Sequence, residues 1–164
     1  MGYTTDFSGS VAVVPALNAE EIAYLKKFAQ SRRVHCTQGP YFVDRSGDFF
    51  GQGSEGVLNF NAAPEGQPGL WCQWIPTDDG TKIEWDGGEK FYGAASWMKY
   101  IIDHFIGPNP IAKTALPFLH GHTCNGEIEA QGEESDDKWL LIVKDNIVSI
   151  AESKPTEYGE PTPV

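Results

Sequence analysis

The chain has 164 residues, with 23 acidic and 12 basic side chains and a formal net charge of -11. This length is about one ordinary domain, which can bury a core without disulfides or metals. The acidic balance excludes nonspecific binding to long nucleic acid or to anionic membranes, because those partners select clustered lysine and arginine.

The cysteines and the first residues indicate a cytoplasmic protein. Cys36, Cys72 and Cys124 form an odd set without a Cys-x-x-Cys pair, and the start MGYTTDFSGS has no basic segment followed by an apolar run. No stretch approaches the roughly 20 apolar residues of a membrane span. We therefore expect reduced thiols and no membrane partner.

The first elements are a short strand over 10–14 and a helix over 19–32. Asn18 and Glu21 have the spacing of an N-cap and its capping partner. An apolar stripe follows at helical spacing and consists of Ile22, Leu25, Phe28 and Ala29.

The segment 37–69 is rich in glycine, asparagine, aspartate and proline, and we interpret it mostly as loop, with two short strand-like runs, YFVD and VLNF. Within it, FFGQGSEG is a candidate mobile lid. It lacks the Gly-Lys-Ser/Thr ending of a phosphate loop, so we expect neither ATP hydrolysis nor a cofactor. LWCQW and TKIEW then predict an antiparallel hairpin around the turn residues Asp78, Asp79 and Gly80.

The second half predicts another helix and three closing strands. A helix over about 94–106 carries a stripe of Trp97, Tyr100, Ile101, His104 and Phe105. HTCNGEIEAQG, KWLLIVK and IVSIAES predict strands, the last two joined by a tight turn at Asp145 and Asn146. Residues 154–164 have the composition of a disordered tail.

These elements predict an α+β fold, a single domain over 1–153 with two helices on one face of a mostly antiparallel sheet. Strand alternation places Glu84 and Asp86 opposite Ile83 and Trp85, and it places Glu127 and Glu129 on the same kind of polar face. We therefore expect the second face of the sheet to contact water.

Several segments resemble a family of small phage and bacterial proteins to which no activity is assigned. They are GYTTDFSGS, QPGLWCQW, EWDGGEKFY and NGEIEAQGEESDD followed by VKDNIV. The resemblance spans nearly the whole chain, and it implies a phage-related setting but no catalytic residues. From that setting we expect a protein that disarms host defence, either by binding a host protein or by sequestering a nucleotide messenger.

The strongest candidate site is the corner that follows the TKIEW strand. Adjacent glycines let a backbone approach a ligand closely, and a following helix start offers free N–H groups to an anion. A lysine adds a charge for a phosphate, and exposed rings can stack on a base. The candidate ligand-binding residues are Trp71, Trp74, Glu84, Asp86, Gly87, Gly88, Glu89, Lys90 and Tyr92.

The same residues also have a structural interpretation that requires no ligand. Asp-Gly-Gly is also an ordinary turn between a strand and a helix, Trp85 and Trp97 suit a core, and Glu89 with Lys90 suits a solvated pair.

Two further clusters could bind metal. Glu84, Asp86 and Glu129 could hold a divalent cation or act as an acid/base pair, although a solvated acidic face also explains them. His120, His122 and Cys124 alternate, so on a strand they would share one face, with a fourth zinc ligand from the His35–Cys36 pair. The spacing matches no standard zinc signature, and packed or surface residues are the alternative.

Three functions follow, and the sequence leaves the oligomeric state open. The first is non-enzymatic capture of a small nucleotide-like ligand in the host cytoplasm, near Trp74 and residues 84–92. The second is inhibition of a host protein by an acidic face that mimics a polyanion, using Glu84, Asp86, Glu127, Glu129 and the EESDD run. The third is metal-assisted hydrolysis by the same carboxylates.

Overall fold

The computed structural model describes residues 3–43, 57–59, 61–152 and 162–164. Seven of the described strands form one antiparallel sheet: β1 (Asp6–Val14), β4 (Trp74–Pro76), β5 (Lys82–Trp85), β6 (Thr123–Gln131), β7 (Lys138–Lys144), β8 (Ile147–Glu152) and β9 (Thr162–Pro163). Their order across the sheet is β4-β5-β1-β6-β7-β8-β9. Two helices complete the architecture, and the predicted α+β fold is confirmed.

The centre of the sheet is the long pair formed by β1 and β6. Val11 and Ile128 point to the helices and are fully buried. Glu127 and Glu129 lie on the opposite face, beside Ser10 and Ser8 of β1, and are exposed. The alternation of apolar and polar residues therefore gives one buried and one wet face, as strand geometry requires.

Helix α1 (Ala19–Gln30) begins where the capping pattern places it. The Asn18 side chain accepts from the Glu21 N–H at 2.8 Å, and the Glu21 carboxylate accepts from the Asn18 N–H at 2.9 Å. Both bonds of a capping box are therefore present. The helix ends at Gln30, two residues before the predicted end.

Helix α2 (Ala94–Ile101) continues as a π-helical turn over Ile102–Ile106. The Gly107 N–H closes this turn on the carbonyl of Ile102 at 2.7 Å, five residues back. Trp97 and Phe105 of this segment are fully buried, and both pack against Phe28 of α1. The two helices thus share one aromatic core above the sheet.

The first hairpin is present, but its first strand differs in extent from the prediction. Strand β4 starts only at Trp74 and includes Ile75 and Pro76, so most of LWCQW is not a strand. The backbone of this segment forms a hydrogen bond outside the hairpin, in which Leu70 O accepts from the Arg33 N–H. Residues 41–43 of the YFVD run are also not a strand.

A separate two-stranded sheet pairs β2 (His35–Cys36) with β3 (Val57–Asn59), which is the predicted VLNF run. The candidate lid, residues 49–56, lies outside the described residues. Most of the predicted tail also lies outside them. Thr162 and Pro163 pair with β8, so these two residues differ from the prediction of a disordered tail.

The turn at Asp145 and Asn146 is as tight as predicted, with φ of 48° and 71°. Such positive φ values match the turns that favour antiparallel hairpins. In the described part of the chain, no helix has the length and apolar character required to cross a bilayer.

Candidate functional site

The Gly87–Gly88 corner is a closed turn whose polar groups pair with one another. The Asp86 carboxylate accepts from the Gly88 N–H at 2.7 Å. The Gln73 amide bonds to residues before and after the two glycines. Its oxygen accepts from the Trp85 indole at 3.0 Å, and its nitrogen donates to Glu89 O at 2.8 Å. The glycines here serve a turn, as the structural interpretation predicted.

The start of α2 does not lie at this corner. The helix begins at Ala94, and its N-cap is Gly93, which has a left-handed φ of 68° and provides no side-chain cap. Free helix N–H groups therefore face a different part of the surface from Gly87 and Gly88.

The predicted aromatic residues are split between the core and the surface. Trp74 is only 2% exposed, packs against Phe7 and Phe91, and donates from its indole to Ala94 O at 2.8 Å. The prediction that Trp74 stacks on a ligand is therefore wrong, because its ring faces are covered by core residues. Trp71 and Tyr92 are exposed.

The charged residues of the corner are spread over the surface. Glu84 is exposed on β5 opposite Ile75, and Glu89 and Lys90 are exposed beyond the turn. Desolvation raises the pKa of the Asp86 carboxyl, and the Gly88 N–H opposes that shift. These groups do not converge on a common ligand position.

A cleft of about 570 Å³ lies instead at the beginning of α2. The first turn of the helix forms one wall, and the β6–β7 turn with the adjacent ends of β7 and β8 forms the other. Its lining residues are Gly93, Ala94, Ala95, Ser96, Asp136, Asp137, Lys138, Trp139, Ile150 and Glu152.

The floor of this cleft is aromatic and apolar. Trp139 is partly buried, and its ring packs edge-on against Phe7 with centroids 5.9 Å apart. Ile150 on β8 lies beside it on the same face of the sheet, since Leu141 pairs with Ile150 and Trp139 follows the same alternation. A flat ring could therefore rest on Trp139 and Ile150.

The rim of the cleft connects to Tyr92. The Tyr3 hydroxyl donates to the Asp137 carboxylate at 2.6 Å, and the Tyr3 N–H donates to the Tyr92 hydroxyl at 3.2 Å. Tyr92, one of the predicted binding residues, is thus linked to the rim of the cleft through Tyr3. Sequence reasoning missed Trp139, although its position beside the acidic EESDD run was visible.

The charges around the cleft limit what it can bind. Asp136, Asp137 and Glu152 contribute three carboxylates. Lys138 also borders the cleft, but its side chain lies on the opposite face of the sheet, beside Gln131. The uncapped N-terminus of α2 opposes the carboxylates with a partial positive charge, and its first turn contains no acidic residue. This balance tolerates a neutral or singly charged ligand and disfavours a polyphosphate.

The predicted carboxylate metal site is not formed by the described residues. Among them, no group of three or more histidine, cysteine, aspartate or glutamate side chains could hold a metal ion. Glu127 and Glu129 instead share the wet face with lysines, because Lys82 pairs with Ala12 and Lys138 with Gln131 on that face.

His120, His122 and Cys124 do not face one common site. β6 begins only at Thr123, and His120 is exposed. His122 is buried, with Nε2 at 2.9 Å from a Glu21 oxygen and Nδ1 at 2.7 Å from Pro15 O. Cys124 lies in the core, where burial raises the pKa of its thiol to about 12. The shared face predicted for a zinc site is therefore wrong.

Models of known protein families, curated proteins and solved structures were each compared with the chain, and none of them matches it. The resemblance to small phage and bacterial proteins therefore stays a prediction.

Proposed function

We propose that this chain is a non-enzymatic binding protein that captures a small nucleotide-like ligand in the cleft at the start of α2. The observation that carries the proposal is the cleft itself, in which an uncapped helix start faces Trp139 and Ile150. Its volume of about 570 Å³ lies within the range of ligand pockets, roughly 300–1,000 Å³.

The two walls of the cleft suit the two chemical parts of such a ligand. The heterocycle lies on Trp139 and Ile150, since stacking a base on an aromatic ring contributes about 1–3 kcal/mol. A polar acceptor on the ligand meets the N–H groups of Ala95 and Ser96, which have no partner within the helix.

The role follows from the setting that the sequence resemblance implies. A small phage-related protein in the host cytoplasm that binds a nucleotide messenger lowers the free concentration of that messenger without chemistry. The net charge of -11 agrees with such a role, because it disfavours long nucleic acid while one local site still takes a small ligand.

The test is calorimetry with a panel of nucleosides, cyclic mononucleotides and ADP-ribose-type compounds, using wild type and Ser96→Glu. The new carboxylate occupies the cleft and repels an acceptor, yet an acidic residue in the first turn supports the helix. We expect binding by the wild type and at least a tenfold loss in the variant.

Thr114→Glu is the matched control, because Thr114 is exposed on the 3₁₀ turn Ile111–Thr114 and does not line this cleft. It adds the same charge and should keep wild-type affinity. No binding of any panel compound by the wild type would rule the proposal out.

A second candidate function, inhibition of a basic host protein, is favoured by the position of the acidic residues. The turn between β6 and β7 carries Glu133, Glu134 and Asp136, all exposed, and Glu152 lies at the same end of the sheet. Capture of a host partner at low salt should then weaken at high salt, because exposed charges are screened. Capture that does not depend on salt contradicts this candidate.

A further inference from the structure

A second cleft of about 380 Å³ lies on the other side of the first turns of α2. Its polar lining consists of Gln67, Ser96, Lys99, Tyr100, Asp103 and His104. Ser96 lines both this cleft and the larger one. The two clefts therefore adjoin at Ser96.

Hydrogen-bond donors line this second cleft. Ser96 and Lys99 on α2 and His104 on the π-helical turn all line it. The Lys99 ammonium donates to the Asp103 carboxylate at 2.7 Å, and both side chains remain about half exposed. An ammonium has three donors, so Lys99 keeps two for a ligand.

The ring of His104 is held in one orientation by two tyrosines. It stacks on Tyr100 with centroids 3.9 Å apart and planes at 17°, and its Nδ1 lies 2.6 Å from the Tyr41 hydroxyl. The Tyr41 hydroxyl occupies Nδ1, so Nε2 is the ring nitrogen left for a ligand.

Burial shifts the protonation of both members of this pair. Burial lowers the pKa of His104, with Asp103 opposing and Lys99 adding to the shift. Burial also raises the pKa of Tyr41. These shifts favour the neutral imidazole and the protonated phenol at neutral pH. When the Tyr41 hydroxyl donates to Nδ1, the ring presents an N–H donor at Nε2.

The two clefts differ in charge, and this difference indicates which part of a ligand each cleft suits. The larger cleft has three side-chain carboxylates, whereas the smaller one has a single side-chain carboxylate, already paired with Lys99, and further polar groups from Ser96 and His104. An anionic group is therefore better placed in the smaller cleft. The aromatic floor, in contrast, belongs to the larger cleft.

We propose that Ser96, Lys99 and His104 form an anion subsite, and that the ligand of this protein is a nucleotide with one phosphate group, held there while its base lies on Trp139. This inference rests on the proposed function for the position of the base. Asp103 limits the subsite to a single phosphate or phosphodiester, because its carboxylate would repel a ligand with more negative charge.

The first experiment examines the subsite alone, with inorganic phosphate as the probe and the His104 ring resonances as the readout in NMR. In wild type we expect a saturable shift of these resonances. Lys99→Met should weaken phosphate binding at least tenfold. Lys144→Met is the matched control, since Lys144 is exposed on β7 and lines neither cleft, and it should leave the titration unchanged.

The second experiment compares a nucleoside with its monophosphate by calorimetry. Wild type should bind the monophosphate at least tenfold more tightly, and Lys99→Met should remove that preference while keeping the affinity for the nucleoside. Equal affinities in wild type, with no phosphate effect on His104, overturn the subsite even if the nucleoside binds.

The two arms separate the failure of the subsite from the failure of the proposed function. A phosphate response at His104 without any nucleoside binding supports the subsite and contradicts the nucleotide-binding function. No response in either arm overturns both.

Discussion

Glu21 is a fully buried carboxylate that joins the start of α1 to the segment before β6. It accepts from the N–H groups of Asn18 and His120, at 2.9 and 3.0 Å, and it contacts His122 Nε2 at 2.9 Å. Because Nδ1 of His122 donates to Pro15 O, a proton between Nε2 and the carboxylate completes the pair.

Removing this carboxylate should destabilise the protein strongly. Glu21→Ala leaves a buried imidazole and two backbone donors without their acceptor, so we expect a loss of about 3–5 kcal/mol in the free energy of unfolding. Urea denaturation measures it. Glu20→Ala, at the exposed neighbouring position, should change stability by less than about 0.5 kcal/mol. Equal effects of the two substitutions would contradict the role of Glu21.

His104 should make stability depend on pH. Its pKa is lowered in the folded protein, mainly by burial. As the pH falls below about 6.5, the unfolded chain therefore takes up a proton that the folded protein resists, and stability is lost. His104→Gln lacks this contribution, so its stability relative to wild type should increase on acidification.

Thermal unfolding of wild type and His104→Gln between neutral and mildly acidic pH measures this difference. The other histidines are present in both proteins, so their contributions cancel in the comparison. A difference that stays constant with pH would show that the His104 pKa is not lowered.

At the scale of elements, Gly93 sets the point where α2 starts and thus the position of both clefts. Its φ of 68° lies in the left-handed region, which most residues with a Cβ disfavour by roughly 1–2 kcal/mol. Gly93→Ala should therefore lower stability by about that amount. Asparagine visits this region more readily, so Gly93→Asn should lose less. Chemical denaturation of both variants tests the assignment, and equal losses would contradict it.

Elements that depend on local pattern were predictable from the sequence. The capping box at Asn18 and Glu21, the buried stripe of α2 and the alternation in β6 all arise from residues close in the chain. The start of β4 was not predictable, because Leu70 O bonds to the distant Arg33 N–H rather than to a neighbouring strand.

The candidate site was harder to predict, for a similar reason. The rings and glycines at the corner indicated a pocket. The burial of those rings depends on Phe7 of β1, which is distant in the chain and packs against Trp74, Trp85 and Trp139. The larger cleft also requires the β7–β8 hairpin to lie beside α2. Neither contact is visible in local sequence.

At the scale of the whole molecule, the sheet separates two kinds of surface. The wet face mixes Glu127 and Glu129 with Lys82, so it is less acidic than the net charge suggests. The carboxylates concentrate at the end of the sheet where the β6–β7 turn borders the larger cleft. The helical side carries both clefts, on either side of the first turns of α2.

The most direct test of nucleotide capture at α2 is a two-dimensional NMR titration with a nucleoside monophosphate. We predict saturable shifts of the Ala95 and Ser96 amides and of the Trp139 indole N–H, with the Gly87 and Gly88 amides unaffected. Shifts confined to Gly87 and Gly88, or no shifts at all, would contradict binding at the start of α2.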